Sequence, residues 1–297
     1  MRDAIIGSMP DKYAATWVSH SSISDFLQCP RSYFLKNVYK DPTTGRKIQL
    51  ISPALTLGSV VHAVLESRSK LAVKDRFKRS LLEQFDELWQ PFSGKQGGFR
   101  SAEEEQRFRE RGEAMLRTVM QHPGPLSRLA VKIGLDLPQY WLSESDEIIL
   151  CGKIDWLEYL PDQDGVRIVD FKTGKHKERE GSLQLPMYRL LVHHTQNRKV
   201  IDAAYWYLED GGELTIKALP ELETAHEQIL AIAKQVKLAR KLERFKCPQG
   251  ESGCGFCRPL EAVIRGEAEL IATRDRKDVY VLAGGTDDIG MTESELL

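Results

Sequence analysis

The stretch V166RIVDFKTGK175 alternates like a β-strand yet ends on an acid and a lysine, a pairing that narrows what the chain can become. Side chains of an extended segment point to opposite faces in turn, so Val166, Ile168, Asp170 and Lys172 share one face while Arg167, Val169 and Phe171 share the other. An apolar strand that delivers a carboxylate and an ammonium together at its end makes either an edge-strand ion pair or a charged site. Upstream, I148ILCGKIDWLEYL160 also reads as a strand, and the turn residues P161DQDG165 predict an antiparallel hairpin. Folding it near Asp162 sets Asp155 opposite Asp170, within a residue or two of register. Facing carboxylates destabilise a sheet unless a cation lies between them. Lys172 supplies part of that charge, and a divalent cation held by both acids compensates it better.

The rest of the chain reads as helices and strands around this hairpin. S21SISDFLQCPRSYFLKNVYK40 predicts a serine-capped helix interrupted at Pro30. In L57GSVVHAVLESRSKLAVK74, Val61, Val64 and Leu65 form an apolar stripe, and His62 and Glu66 stand one turn apart on another face. Residues 75–135 are helical in pattern and heavily charged, broken by P91FSGKQGGF99 and H122PGP125, and predict a helical insertion over the core. Strands are expected at Q139YWLSE144, I201DAAYWYLE209 and E213LTIKAL219, a serine-capped helix at S182LQLPMYRLLVHH194, and a long helix from Leu222 to Phe245. Residues 284–297 read as a flexible, solvated tail. The expected fold is a single α/β domain over 1–297, with a mixed central sheet flanked by helices.

Composition limits the function classes. With 41% hydrophobic and 29% charged residues, 297 residues suffice for a large core. No apolar run is long enough to span a bilayer, and the N-terminus lacks the signature of a signal peptide, so a cytoplasmic protein without a membrane partner is expected. A net charge of -1 leaves any nucleic-acid surface to a local patch. Two segments qualify: K234QVKLARKLERFK246, with Lys234, Lys237 and Lys241 on one stripe, and K172TGKHKERE180. The first also reads as a solvated helix face, the commoner explanation of such a stripe. Trp17, Tyr33 and Phe34 are candidates for base stacking or for the core.

Five cysteines, an odd number with three in C247PQGESGCGFC257, suit metal ligation better than a disulfide framework. Cys254 and Cys257 form a C-x-x-C; Cys247 and the distant Cys29 bring the candidate ligands to four, while Cys151 reads as a core thiol.

Taken together, G58SVVH62, G152KID155, D170FK172 and Q184LPMY188 occur in the order and local settings of the RecB-like branch of the PD-(D/E)XK nucleases, which the chain resembles from Ser22 to Pro259. The resemblance implies a restriction-endonuclease-like core. It implies that His62, Asp155 and Asp170, with the Phe171 carbonyl, ligate Mg2+ or Mn2+, that Lys172 positions or activates water, and that Gln184 and Tyr188 contact the DNA backbone or order the lysine. Glu66 is expected to support His62, and Glu144 to reach the metal through water. In AddB-type and CRISPR-associated iron-sulfur nucleases one cysteine precedes the nuclease motifs and three follow. By that resemblance Cys29, Cys247, Cys254 and Cys257 bind a [4Fe-4S] cluster that closes residues 247–257 onto the N-terminal helix. Here, however, the isolated cysteine precedes the pair, which leaves Zn2+ open as the occupant.

The activity so implied is metal-dependent hydrolysis of DNA phosphodiesters, as an exonuclease or flap-processing enzyme on single-stranded DNA or duplex ends in repair or recombination. The chain has no G-x-x-x-x-G-K-[ST], so unwinding would fall to a separate helicase or recombination partner. Two other readings stand beside it: a non-catalytic DNA-binding or scaffolding subunit of a helicase-nuclease complex, and a redox-sensing cluster protein.

Overall fold

The computed structural model describes residues 11–132 and 137–282. In chain order they form β1 (Thr16–Val18), α1 (His20–Gln28), α2 (Pro30–Tyr33), β2 (Lys47–Leu50), α3 (Pro53–Ser67), α4 (Leu81–Trp89), α5 (Ala102–Gln121), β3 (Gln139–Ser143), β4 (Ile148–Cys151), β5 (Trp156–Leu160), β6 (Gly165–Lys172), α6 (Gln184–Thr195), β7 (Lys199–Tyr207), β8 (Leu214–Lys217), α7 (Leu222–Lys241), α8 (Arg258–Ile264), β9 (Ala268–Arg274) and β10 (Lys277–Leu282), joined by short 3-10 and π turns. The tail expected at 284–297 lies outside the described residues, as do 133–136 of the stretch read as an insertion.

The site-bearing sheet has the order β5-β6-β7-β8. Its β5–β6 hairpin is antiparallel, and the β6–α6–β7 crossover returns a parallel strand. Both faces are covered, which is why β6 is buried along nearly its whole length. Val169 and Phe171 face the cluster built by α3, α4 and α5, where Val61, Leu65, Phe85, Trp89 and Leu116 meet Trp156 and Trp206. Val166 and Ile168 face the opposite cluster, with Leu185 and Val192 of α6. Asp170 and Lys172 follow the second set and therefore project toward α6.

A smaller sheet, β1-β4-β3, packs on α6 and α7 through Leu142, Ile148, Leu150, Leu190 and Ile229. A third sheet, β2-β10-β9, stands beside the cysteines, which share a cluster with Ile48, Leu260 and Val263. Asp278 of β10, fully buried, ties that sheet together by accepting hydrogen bonds from Thr44 Oγ1 at 2.8 Å, Arg46 Nε at 2.7 Å and Thr273 Oγ1 at 2.9 Å.

Several expectations are corrected. The strand expected over 148–160 is two strands in different sheets, because the chain leaves β4 at Cys151 and re-enters a ladder only at Trp156. Gly152 sits at that break, where a Cβ would come within 2.9 Å of Leu191 Cδ1; the glycine lets α6 pack against the bend. Ser182 is not the cap of α6: Leu183 occupies that position without a side-chain bond, and Ser182 Oγ accepts from the Gln184 N–H at 3.3 Å. The long C-terminal helix ends at Lys241 rather than Phe245. Tyr33 is 1% exposed and packs edge-on to Phe26, and Phe34 stacks on Phe245 at 5.0 Å, so both belong to the core. No helix among the described residues is long and apolar enough to cross a membrane.

Candidate active site

The acid pair is set by the hairpin. Trp156 pairs with Val169, and the same register continued by one residue brings Asp155 opposite Asp170. Asp155 stands just before β5, so its side chain is free to turn back: Oδ2 accepts the Phe171 N–H at 2.8 Å. In a strand the N–H and C=O of one residue lie on the same edge, so the Phe171 carbonyl faces the same opening, past the end of β5. Asp170, on the α6 face, is 2% exposed.

From the other face α3 supplies His62. A Ser52 cap and Pro53 start this helix, and its buried Val60, Val61, Val64 and Leu65, worth roughly 1.5–3 kcal/mol each, hold its register. His62 Nδ1 lies 3.3 Å from Asp155 Oδ1 and 3.8 Å from Glu66 Oε1, while Lys153 pairs with the other Glu66 oxygen. Donor atoms of His62, Glu66 and Asp155 fall within 4.8 Å of one another.

Helix α6 approaches from the far side. Gln184 Nε2 donates to Asp170 Oδ1 at 2.8 Å, its Oε1 accepts from Lys172 Nζ at 2.7 Å, and Tyr188 Oη stands 3.4 Å away, one turn on. Lys172 Nζ is also 3.1 Å from Asp170 Oδ2 and 3.2 Å from Glu178 Oε2. All six motif residues, His62, Asp155, Asp170, Lys172, Gln184 and Tyr188, thus line one cleft of about 1510 Å³ together with Phe171.

The electrostatics are those of crowded acids. Burial and the neighbouring Asp155 push the Asp170 carboxyl up to about 6 against the opposing pull of Lys172. Burial works against the charged forms of Asp155 and His62 as well, but each holds the other: Asp155 stays below the usual carboxylate range, and His62 is raised to about 10. Lys172 overcomes its own burial through Asp170 and Glu178, and its pKa rises, so it is an ammonium. Two buried atoms in this group, His62 Nε2 and Asp170 Oδ2, make no hydrogen bond among the described residues. Carboxylate oxygens, an imidazole nitrogen and a carbonyl are the donor set that suits Mg2+ or Mn2+.

Two residues near Lys172 were missed by sequence reasoning. Glu178 comes from the loop between β6 and α6, where its own N–H donates to Tyr207 Oη at 2.9 Å. His20, the first residue of α1, is lowered to about 4 by burial and by Lys172. Neither carried a sequence signal, since both reach the site through tertiary packing. Glu144 is corrected: it is exposed at the β3–β4 turn, at the opposite end of β4 from Gly152 and outside the cleft.

The second cluster is formed by Cys29, Cys247, Cys254 and Cys257, all buried, with one sulfur from each within 4.8 Å of the others. None is in a disulfide, and the Cys254 and Cys257 sulfurs are 3.8 Å apart. Burial raises Cys29 and pushes Cys257 up to about 11, whereas Cys254 is lowered against its burial by hydrogen bonds from the Cys257 and Phe256 N–H groups; a thiolate-bound metal would deprotonate the ligating thiols. Cys151 is separate from this group.

A search of curated proteins returned no match. The sequence profile of the PD-(D/E)XK nuclease superfamily matches residues 17–260, which takes in the strand with Asp170 and Lys172, the helices that face it and all four clustered cysteines. The chain belongs to the PD-(D/E)XK nuclease superfamily.

Proposed function

We propose that the chain is a Mg2+- or Mn2+-dependent deoxyribonuclease of the RecB-like branch, acting on single-stranded DNA or duplex ends as an exonuclease or flap-processing enzyme in repair or recombination. The observation that carries this reading is the apposed Asp155–Asp170 pair in the cleft, with Lys172 held 3.1 Å from Asp170 Oδ2 and a buried imidazole nitrogen beside it, His62 Nε2, that makes no hydrogen bond. A protein that only binds DNA gains nothing from apposed buried acids.

His62, Asp155, Asp170 and the Phe171 carbonyl would hold the cation. Bound there, it would supply charge stabilisation to the phosphoryl oxygens and lower the pKa of attacking water. The chain's own residues do the rest. Lys172, fixed by Gln184 and flanked by two carboxylates, presents an ammonium to the scissile phosphate and acts as a charge donor rather than as a base. Gln184 fixes Asp170 and Lys172 relative to each other, and Tyr188 adds a hydroxyl beside it. Helices α4 and α5, in the stretch read as an insertion, buttress α3, and through it His62, from behind.

The four cysteines hold a structural metal centre, for which the resemblance favours [4Fe-4S] and the four-thiolate set also suits Zn2+. They join the segment after α1 to the segment before α8. The test of the activity is cleavage of end-labelled single strands in Mn2+. Loss of cleavage in Lys172→Ala supports the assignment, and undiminished cleavage in that variant defeats it.

A further inference from the structure

Most cations of this chain near the cleft are neutralised by acids of their own surroundings. Lys36 pairs with Asp25 at 2.7 Å and Lys177 with Asp210 at 3.6 Å. The stripe on α7 that was a candidate phosphate track is likewise occupied: Lys234 pairs with Asp146 at 2.8 Å and Lys237 with Glu147 at 2.9 Å. Both acids lie in the turn between β3 and β4, so two of the three lysines of that stripe are already paired.

One group of cations is different. Strands β2 and β10 run parallel, in a register that sets Lys47 beside Lys277. Like charges at partnered positions destabilise a sheet, and nothing local relieves this pair. Arg240, at the end of α7, and Lys40, ahead of β2, stand close enough to add to the repulsion. Burial lowers the proton affinity of Lys47, and Lys277, Arg240 and Lys40 lower it further. Among the described residues none of these four side chains forms an ion pair; Arg240 donates only to the neutral Tyr33 hydroxyl, at 3.3 Å. Four cations gathered without an ion pair cost stability, and such an arrangement is relieved by a bound polyanion.

The cleft identifies which polyanion. Lys277 lines the same cleft as Asp155, Asp170 and Lys172, and so do Gln49 and Leu50 of β2, the strand that carries Lys47. A single small anion matches one or two of these cations, whereas successive phosphates of one strand match the group, and Lys277 brings its edge into the cleft of the acid pair. We propose that Lys40, Lys47, Arg240 and Lys277 form a phosphate-binding platform for the nucleic-acid strand whose scissile phosphate lies at Asp155, Asp170 and Lys172. The platform rests on the nuclease reading of that site and extends it. Part of it, β10, lies beyond residues 17–260, so it is built in part outside the stretch shared with the superfamily.

The experiment measures binding of fluorescently labelled single-stranded oligonucleotides by anisotropy across a salt series, with Ca2+ in place of Mg2+ to hold the strand uncut. It compares the wild type with Lys277→Glu, Lys47→Ala and, as a control, Lys234→Ala. Each phosphate contact contributes about 0.7 to the slope of log affinity against log salt for a single strand. Lys277→Glu should therefore lose at least about one such contact and weaken binding about fivefold or more at physiological salt. Its thermal midpoint should hold or rise, because the new carboxylate faces Lys47. Lys47→Ala should weaken binding in the same direction, and Lys234→Ala should leave it unchanged. Unchanged affinity and slope in both Lys277→Glu and Lys47→Ala, with a wild type that binds and cuts, would overturn the platform alone. A wild type that neither binds nor cuts any strand would remove the nuclease reading and the platform with it.

Discussion

Replacing Gln184 by methionine keeps the side-chain length and removes both ends of a bridge. The amide is 8% exposed and makes two hydrogen bonds to charged groups, 2.8 Å to Asp170 and 2.7 Å to Lys172. Bonds of this kind are worth about 1.5–3 kcal/mol each, so the gross loss is about 3–6 kcal/mol. Part is recovered, because Lys172 Nζ remains 3.1 Å from Asp170 Oδ2 and 3.2 Å from Glu178. A net loss of about 3 kcal/mol remains. If Gln184 serves to hold the lysine and the acid in their catalytic relation, that loss falls on the transition state, and kcat should drop about 100-fold, which corresponds to about 2.7 kcal/mol. On that bridging role KM should change little, since both ends of the amide are engaged by Asp170 and Lys172. Single-turnover cleavage of an end-labelled strand, with circular dichroism to establish folding, measures the effect. A folded Gln184→Met variant with kcat within threefold of wild type would refute the bridging role.

Asp278→Asn should destabilise the protein by about 1–3 kcal/mol, less than a fully buried pair would cost because the Arg46 side chain is 40% exposed. Burial would raise the Asp278 carboxyl, but its bonds to Thr44, Thr273 and Arg46 hold it below the usual range. Its stabilisation is therefore complete above the unfolded-state value of about 3.9 and is lost as pH falls through the lower folded value. Urea denaturation should show the gap between wild type and variant at pH 7 closing in strong acid. Leu65→Ala, in a position with no exposure, should cost about 2–5 kcal/mol and lower the melting temperature without changing the metal requirement of the residual activity. Cys257→Ser should lower metal content and thermal stability together. Protein purified without oxygen should be brown if the centre is iron-sulfur, and colourless with stoichiometric zinc if it is Zn2+; metal-free wild type of undiminished stability would remove the structural centre.

The parts of the fold legible in the sequence were those governed by local period. The two-residue alternation of β6 fixes which face Asp170 and Lys172 share, and the turn at 161–164 fixes the register that sets Asp155 opposite Asp170. The apolar stripe of α3 likewise places His62 on its own face. Less was legible where long-range contacts decide. Strands β1 and β2, of three and four residues, are too short to show a period. Strand β10 pairs with β2 from the other end of the chain. The break at Gly152 is hidden because 148–160 is continuously strand-like, and only the close approach of α6 explains it. Glu178, His20 and the Lys47–Lys277 pairing depend on the same long-range folding. In each case the residue type was visible, and its neighbour was not.

Metal-dependent catalysis at Asp170 and Lys172 is tested most directly by cleavage of end-labelled single-stranded DNA by wild type, Asp170→Ala and Lys172→Ala, with Mn2+ and with EDTA. The expected result is cleavage by the wild type in Mn2+, none in EDTA, and a loss of at least about 100-fold in each variant while both stay folded. Cleavage by Asp170→Ala and Lys172→Ala at the wild-type rate would contradict it.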